Sequence, residues 1–354
     1  MNNGTLTPKI QEILSNVWGP PLIPITRIPY SKLFPHPISR KLRLYIGLSE
    51  KIEEIEPDLI FLHDVQFLSV VEVANYARKR YVKIYADSHT DFINSGKNWF
   101  SKNVLHRIIY KSCVKIIEPY TEMFFGTLPL RVDFLREVYG VPSEKLDLLP
   151  FGADATQYKI GDKAKLRKQV REQYSIADED FLIITGGKID RRKNINVLMK
   201  AVSTIQQQNL KLFMFGSIAD DLEIEINLMC KNNSNIIWVG WVSVKKSYEL
   251  LLASDLGIFP GTHSVIWEQA LGVGLPCVFK KWPGIQHLDV GGNCLLLDDP
   301  SVEGLTEIME MLYKDKPLYE RMKYVALNNG TSVFSYLKIA KYAIGMAEDS
   351  NVSS

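Results

Sequence analysis

The chain has 354 residues and a formal net charge of +2, with 46% apolar and 23% charged residues. This length allows two domains with their own cores, and the composition is typical of a soluble globular protein. The near-neutral charge gives no reason to expect nucleic acid binding, and the four scattered cysteines match neither a disulfide framework nor a zinc site. The sequence contains neither a secretory signal pattern nor the roughly 18 to 20 apolar residues of a membrane span, which predicts a cytoplasmic protein.

Short apolar runs alternate with helical periodicity in the first half of the chain. We predict strands at 22–26, 58–62, 81–85, 115–118, 123–125 and 146–149, and helices at 39–55, 67–79, 97–112 and 130–139. Apolar strands that alternate with helices favour a parallel sheet covered on both faces. We therefore expect an α/β domain.

The second half repeats this pattern. We predict strands at 181–185, 210–215, 236–239, 256–259, 276–279 and 294–297, and helices at 162–174, 195–207, 219–231, 245–253, 266–272 and 302–313. The expected fold is two tandem doubly wound, Rossmann-like domains that bind ligand at the carboxyl ends of their strands, in the cleft between them. We place the first domain at 1–152 and the second at 153–334, with a hinge near 150–154. A C-terminal helix at about 335–354 is expected to pack back on the first domain.

A glycine loop with two spaced lysines follows the predicted strand 181–185. Gly186 and Gly187 let the backbone approach a ligand closely, and Lys188 and Lys193 bring positive charge to the same loop. A helix begins directly afterwards, and the free N–H groups of a helix start attract anions. The loop therefore predicts a phosphate site. A solvated basic loop is the alternative for an isolated Gly-Gly-Lys motif.

Several other kinds of site lack support. No GxGxxG follows a strand and no GxxxxGK[ST] occurs, which argues against a dinucleotide-dependent dehydrogenase and a P-loop NTPase. The acidic triplet at 178–180 precedes strand 181–185, at the wrong end for a parallel-sheet site, so we interpret it as a solvated turn. We expect no metal and no cofactor.

Four segments of the sequence together resemble glycosyltransferase family 4, whose members are retaining enzymes of the GT-B fold. The first is residues 139–154, which begin with Tyr-Gly-Val-Pro and end with Phe-Gly-Ala-Asp. The others are the glycine loop, Trp-Val-Gly-Trp-Val-Ser at 238–243, and the two aspartates at 298–299. The resemblance covers most of the chain and is strongest over 139–299. It implies that Gly187, Lys188 and Lys193 hold the donor diphosphate, that Gly216 belongs to the donor site, and that the backbone near Val242 contacts the nucleotide base.

The Glu-x7-Glu element of that family corresponds to residues 260–276, where this chain departs from the pattern. Glu268 matches the second, ribose-binding glutamate, although counting back from Gly274-x-Pro276 puts Gln269 in that position instead. The first glutamate is absent, which leaves the contact to the transferred sugar open. His263, Ser264 and Val265, at the start of the helix, are the available replacements, and their backbone N–H groups would face the β-phosphate.

Two histidines end predicted strands of the first domain. His89 matches the histidine that faces the cleft in the family, and the resemblance implies that it positions the transferred sugar. The alternative is that His89 caps a loop with Asp87 and Asp91. His63 has a similar position, and for it a structural role is equally well supported.

The stretch 97–115 is basic and contains Trp99, Phe100, Leu105, Ile108 and Ile109, which would suit a helix on a membrane surface. An amphipathic helix packed on its own sheet is the equally weighted alternative. Family members that act on lipid-linked acceptors use this region for membrane contact.

The sequence therefore predicts a metal-independent retaining glycosyltransferase that uses a UDP- or GDP-sugar. Its acceptor is expected to be a cell-surface glycan, such as a capsule or O-antigen repeat on a lipid carrier, at the cytoplasmic face of the membrane. The first βα unit of the family is not recognisable in residues 1–8, so a truncated, inactive homologue that binds nucleotide sugar or protein partners is the alternative. A sugar-nucleotide epimerase of the same fold is a third, less supported reading.

Overall fold

The computed structural model describes residues 24–93, 95, 99–158, 160–205 and 209–345. It divides the chain into two compact units, Met1–Leu149 and Pro150–Ser354. The division lies at the start of the segment 150–154 in which the sequence predicted the hinge.

The first unit contains a four-stranded parallel sheet with the order β1-β2-β3-β4. Its strands are β1 (Leu59–His63), β2 (Lys83–Ser88), β3 (Thr121–Gly126) and β4 (Leu146–Leu148). In the register of β1 and β2, His63 lies opposite Asp87. The carboxyl ends of both strands therefore carry chemically active side chains next to each other.

Helices accompany this sheet, and several of them, such as Val70–Arg80 and Lys111–Ile117, bury apolar side chains. The helices are His36–Leu42, Leu48–Ile55, Val70–Arg80, Ser101–Tyr110, Lys111–Ile117, Pro129–Phe134 and Leu135–Tyr139, with short turns at Glu118–Tyr120 and Ser143–Lys145. The largest core of the unit includes Val114, Phe124, Phe134 and Tyr139.

Three predictions for the first unit need correction. The single helix predicted at 39–55 is two helices, because the chain adopts left-handed backbone at Arg43 (φ 50°) and Gly47 (φ 82°). The strand predicted at 115–118 is wrong. Residues 115–117 belong to the helix Lys111–Ile117, whose buried positions follow the helical period, and Glu118 begins the next short turn. Of the predicted strand 22–26, the described residues 24–26 form no strand, and the rest lies outside the described residues.

The second unit contains a six-stranded parallel sheet with the order β10-β9-β8-β5-β6-β7. The strands are β5 (Phe181–Gly186), β6 (Leu210–Phe215), β7 (Ile236–Gly240), β8 (Leu256–Phe259), β9 (Cys277–Lys280) and β10 (Cys294–Leu297). Successive side chains of β5 enter different cores: Leu182 and Ile184 belong to one, and Ile183 belongs to the other. Apolar side chains on both faces explain why the strands are largely hydrophobic in the sequence.

The helices of the second unit include all six that were predicted between residues 162 and 313, and further helices at 316–333 that were not predicted. The helices are Lys163–Gln173, Ile195–Thr204, Glu223–Asn232, Val244–Ala253, Ile266–Gly272, Val302–Lys314, Lys316–Val325, Ala326–Gly330, Thr331–Val333 and Tyr336–Ala343, with short turns at Ala155–Gln157, Ile160–Asp162, Arg191–Lys193 and Gln286–Leu288. The side chains of Ser243, Ser301 and Asp315 accept hydrogen bonds from the first turns of the helices that follow them. The predicted α/β fold, two parallel sheets in separate units, is confirmed.

The C-terminal helix Tyr336–Ala343 is grouped with the second unit. Ala153 N donates to the Phe334 carbonyl at 2.8 Å, and Tyr336 N donates to the Ala153 carbonyl at 3.0 Å. The packing of residues 335–354 on the first domain stays a prediction. The βα unit expected to be missing falls on residues outside the described ranges. Within those ranges, no helix is both long enough and apolar enough to cross a membrane.

Candidate functional site

Loops from neighbouring strands meet at one edge of the second sheet. Strands β8, β5, β6 and β7 are consecutive and parallel, so their carboxyl ends lie at the same edge. The loop after β5 is bonded to both neighbouring loops: Thr262 N donates to the Arg192 carbonyl at 2.9 Å, and Ile189 N donates to the Ser217 carbonyl at 2.8 Å. Most residues predicted to bind the donor follow these strands: Gly186, Gly187, Lys188, Lys193, Gly216, Val242, His263, Ser264 and Val265.

Two glycines shape the middle of this edge in different ways. Gly187 (φ +104°) and Gly216 (φ +122°) both adopt backbone that side chains disfavour. A Cβ on Gly216 would lie 1.8 Å from the Gly187 carbonyl oxygen, so packing alone requires glycine there. A Cβ on Gly187 would meet nothing within 4 Å. The loop at Gly187 is therefore open to a ligand.

The two lysines of the loop have different environments. Lys188 is exposed, and the described residues provide it with no hydrogen bond or ion pair. Lys193 is half-buried, and its Nζ donates to the carbonyls of Thr262 at 2.6 Å and His263 at 3.1 Å. Burial lowers the pKa of Lys193 to about 8. An ammonium group has three N–H donors, so two of them fix the loop after β8 and a third can serve a ligand.

Glu268, on the helix Ile266–Gly272, is fully buried and does not reach the surface. Its Oε1 lies 2.7 Å from His263 Nε2 and 3.5 Å from His287 Nε2. Burial alone would raise the pKa of the Glu268 carboxyl, but the two imidazoles outweigh it and the net pKa is lowered. The ribose contact expected of Glu268 therefore does not fit this geometry, because residue 268 falls on the core face of the helix.

His263 was expected as a replacement for the missing glutamate, but its side chain also points inward. The ring is 6% exposed, stacks on Phe151 and meets Trp267 edge-on. Only the backbone of His263 takes part in the edge formed by the loops after β8, β5, β6 and β7 (the loop edge), because its carbonyl accepts the hydrogen bond from Lys193 Nζ. Ser264 is half-buried and Val265 is exposed at the start of the helix.

Gln269 differs from its neighbour Glu268 because it is only partly buried. Unlike the fully buried Glu268, Gln269 therefore keeps surface that a ligand can reach. Val242 is half-buried against the core, and the adjacent Trp241 is 77% exposed. The sequence analysis assigned no role to the Trp241 side chain. The structure draws attention to it because it is a large exposed aromatic residue directly after β7.

The sequence also missed His287 as a partner of Glu268. The two residues are 19 positions apart, and nothing in the spacing indicates that they meet. His287 lines a cavity of about 690 Å³ together with Gln286, Asp289, Asn328 and Ser332. His287 Nδ1 and Glu268 Oε2 are buried without a hydrogen-bond partner among the described residues.

Two histidines of the first unit, His63 and His89, lie together at the carboxyl edge of its sheet. His63 ends β1, and His89 directly follows β2. Asp87 Oδ2 lies 3.0 Å from His63 Nδ1 and 3.4 Å from His89 Nε2, and the two rings meet edge-on at 4.5 Å. Burial would raise the pKa of Asp87, but the histidines and the Asp64 N–H lower it overall. The sequence had identified both histidines but had given Asp87 only a capping role.

The acidic triplet 178–180 lies where the sequence analysis placed it, before β5 and at the edge opposite the glycine loop. Asp180 Oδ2 accepts from Ala177 N at 2.8 Å and so stabilises the turn. In the stretch 97–115, of which the described part begins at Trp99, Leu105 is buried in the core. Trp99, Phe100 and Ile108 are exposed by 74%, 54% and 60%, so one face packs and another is open.

Comparisons with known proteins agree with this architecture. Residues 167–328, which contain most of the loop edge, match the family model described as glycosyl transferases group 1. The mannosylfructose-phosphate synthase of Agrobacterium fabrum is 22% identical over 266 residues, which are 70% of this chain and 56% of that protein. The chain spans about half the length, or less, of the curated relatives it matches, between 34% and 56%.

Solved structures share the fold. A glycosyltransferase from Rickettsia africae has a TM-score of 0.64 at 14% identity, with 91% of this chain and 85% of that chain covered. The Anabaena protein HepE, solved in complex with UDP, has a TM-score of 0.61 at 15% identity, covering 84% and 80% of the two chains. The chain thus has the two Rossmann-like domains of GT-B proteins, and its segment 167–328 is similar to the glycosyl transferases group 1.

Proposed function

We propose that this chain is a metal-independent retaining glycosyltransferase of the family 4 type, which transfers a sugar from a nucleotide-diphosphate sugar to an acceptor hydroxyl. One observation supports this above all: backbone hydrogen bonds join the loops after β8, β5 and β6 and the end of β7 into one edge, which has a glycine opening and two lysines. This edge lies within the segment that matches the glycosyl transferases group 1.

The donor diphosphate lies over Gly187 in this proposal. The open space above Gly187 admits the phosphates to the backbone, and the exposed Lys188 supplies a mobile positive charge. Lys193 acts from a fixed position, because its ammonium is bonded to the carbonyls of Thr262 and His263. A preorganised cation stabilises charge that grows on the leaving diphosphate without reorganising in the transition state.

Gln269 holds the ribose in this proposal, in place of the buried Glu268. Gln269 is only partly buried, and its amide oxygen can accept a hydrogen bond from a ribose hydroxyl. The base lies against residues 240–243. There the exposed Trp241 offers an aromatic face for stacking, beside the backbone near Val242.

His89 positions the transferred sugar through a hydrogen bond to one of its hydroxyls. Asp87 orients the His89 ring, since its carboxylate oxygen lies 3.4 Å from Nε2. The acceptor hydroxyl attacks the anomeric carbon from the face on which the diphosphate leaves. The bond to the phosphate oxygen breaks, the bond to the acceptor oxygen forms, and the acceptor proton passes to the departing diphosphate.

The acceptor is a cell-surface glycan or a lipid-linked oligosaccharide, approached at the cytoplasmic face of the membrane. The exposed side chains of Trp99, Phe100 and Ile108 support this part of the proposal. Lys41 Nζ lies 5.8 Å from the centre of the Phe100 ring, which adds positive charge beside exposed aromatic surface. Aromatic and cationic side chains together suit an anionic lipid surface.

A nucleotide panel tests the donor part of the proposal. UDP, GDP and ADP are titrated calorimetrically into the full chain, into Lys193→Ala, and into Lys231→Ala, an exposed lysine on helix Glu223–Asn232 that serves as the matched control. We expect one nucleotide to bind with unit stoichiometry, weakly to Lys193→Ala and normally to Lys231→Ala. Equal binding to both variants would contradict the proposed diphosphate site.

A further inference from the structure

His63, Asp87 and His89 form a compact set of metal-ligating side chains in the first unit. One ligand atom from each residue lies within 4.8 Å of the other two. The set is fixed by the fold, because His63 and Asp87 are register partners on adjacent strands and His89 follows β2 directly. We propose that these three residues form a binding site for a single transition-metal cation of the Zn²⁺ and Co²⁺ class.

The distances fit such a cation. Zinc bonds to imidazole nitrogen and carboxylate oxygen are about 2.0–2.2 Å long, so two ligands at tetrahedral or right angles lie about 2.9–3.5 Å apart. Asp87 Oδ2 lies 3.0 Å from His63 Nδ1 and 3.4 Å from His89 Nε2. Both separations fall in that range, and rotation of the exposed His63 ring can adjust the distance between the two nitrogens.

The chemistry of the set selects the kind of metal. Two imidazoles with one carboxylate suit zinc, cobalt and nickel, whereas magnesium and calcium prefer oxygen ligands only. The His63 side chain is 74% exposed, so solvent can complete the coordination shell from that side. Three protein ligands with an open position form the arrangement in which zinc keeps a water or an external ligand.

A backbone hydrogen bond from Asp64 holds the Asp87 carboxylate in place. Asp87 Oδ1 accepts from Asp64 N at 2.9 Å, while Oδ2 faces the histidines. Asp64 adopts φ of 76°, an uncommon backbone conformation for a residue other than glycine, and this conformation accompanies the bond of its N–H to Asp87. Orienting contacts of this kind are typical of ligands in metal sites.

Metal at this site would occupy His89 Nε2. If His89 contacts the transferred sugar, which rests on the proposed function, the metal and the sugar compete for the same nitrogen. The cation then acts as an inhibitor of transfer and leaves nucleotide binding in the second unit unchanged. Metal binding itself does not depend on the proposed function.

Cobalt titration of the full chain tests the site. Chelator-treated protein is titrated with Co²⁺, followed by visible absorption, and then with Zn²⁺ in competition. We expect one equivalent of Co²⁺ with the absorption of a nitrogen-ligated, low-coordinate site. Loss of a residue that only orients a metal ligand typically weakens metal binding by roughly 10- to 100-fold. His63→Gln and Asp87→Asn remove ligands themselves, so each should weaken Co²⁺ binding by more than this. The exposed His36→Gln serves as the matched control and should bind normally.

The outcomes are separable. His63 is largely exposed, so its replacement leaves the fold intact and its loss of binding is interpretable, as the melting curve of the variant would verify. Absence of stoichiometric Co²⁺ binding, or binding that is unchanged in His63→Gln, would overturn the metal site. UDP binding is measured separately, with and without Zn²⁺, and reports on the donor site alone. A failure of UDP to bind would therefore contradict the proposed donor site without affecting the test of the metal site.

Discussion

Lys193 and His263 join two loops of the second unit, since the Lys193 ammonium donates to the His263 carbonyl at 3.1 Å. The His263 ring in turn lies 2.7 Å from the buried carboxylate of Glu268. Lys193 is therefore linked through one residue, His263, to the buried carboxylate of Glu268. The position of Lys193 depends on side chains that do not touch the ligand.

Nucleotide affinity should depend on pH through Lys193. Because burial lowers the pKa of Lys193 to about 8, its charge is lost as pH rises through that value. We expect the affinity for UDP or the preferred nucleotide to fall between about pH 7 and pH 9.5, measured calorimetrically. Lys193→Arg keeps its charge over this range and should show a flat profile. A wild-type profile as flat as that of the arginine variant would contradict this assignment.

The lowered pKa of Lys193 should also make the stability of the fold depend on pH. The ordinary pKa of lysine is 10.5, so between about 8 and 10.5 the unfolded chain binds more protons at this position than the folded chain. The contribution of Lys193 to the free energy of unfolding should therefore rise with pH across this window. Urea unfolding of wild type and Lys193→Met, compared over the window, measures the difference. A contribution that decreases with pH would contradict the burial of the ammonium.

Glu268→Gln should destabilise the second unit. The amide keeps the shape of the side chain but leaves His263 and His287 without a carboxylate, at a cost of about 1–3 kcal/mol in the free energy of unfolding. The pKa of Glu268 is lowered in the fold, so its stabilisation is present above the unfolded value of 4.5 and is lost as pH falls through the folded value. The difference from wild type should shrink in acid.

Exposed Glu303→Gln is the matched control for this experiment, since it changes the same charge on the surface. Urea unfolding at neutral and acid pH measures both variants. If Glu268→Gln proved as stable as Glu303→Gln at neutral pH, the buried pairing would contribute nothing.

The two glycines of the loop edge should separate stability from binding. In Gly216→Ala the new Cβ overlaps the Gly187 carbonyl at 1.8 Å, in addition to the strain of positive φ. In Gly187→Ala only the strain remains, about 1–3 kcal/mol, because its Cβ enters open space. We expect Gly216→Ala to lose more stability in urea unfolding, and Gly187→Ala to lose nucleotide affinity out of proportion to its stability. The reverse order would contradict the open space assigned to the ligand.

The sequence predicted most strands of the sheets because they are largely apolar runs, such as β5 and β6, which suit a parallel sheet covered on both faces. It predicted the loop edge because glycines and lysines directly follow those strands. It could not predict which face of the helix Ile266–Gly272 is buried, since the adjacent polar residues Glu268 and Gln269 lie between apolar residues and either could face the core. The partnership of Glu268 with His287 depends on a contact across 19 residues that only the fold creates.

In the first unit, too, some features depend on tertiary structure and could not be predicted from the sequence pattern. The helical period of 39–55 continues through Arg43 and Gly47, and the break between the two helices comes from left-handed backbone at those residues. At 115–118 a short apolar run is compatible with either a strand or a helix, and its burial in the core of the first unit decides for the helix. His63 and His89 were recognisable as strand-end residues. Their common bond to Asp87 required the register of β1 and β2.

Release of nucleoside diphosphate from a donor sugar tests the central claim most directly. UDP- and GDP-sugars are incubated with the full chain and a lipid-linked acceptor extract, and the released diphosphate is measured for wild type, Lys193→Ala and Lys231→Ala. We predict release from one donor, dependent on the acceptor and reduced by roughly 100- to 1,000-fold in Lys193→Ala, with the control unchanged. Nucleotide binding without release from any donor would contradict the transferase and favour a sugar-nucleotide-binding protein.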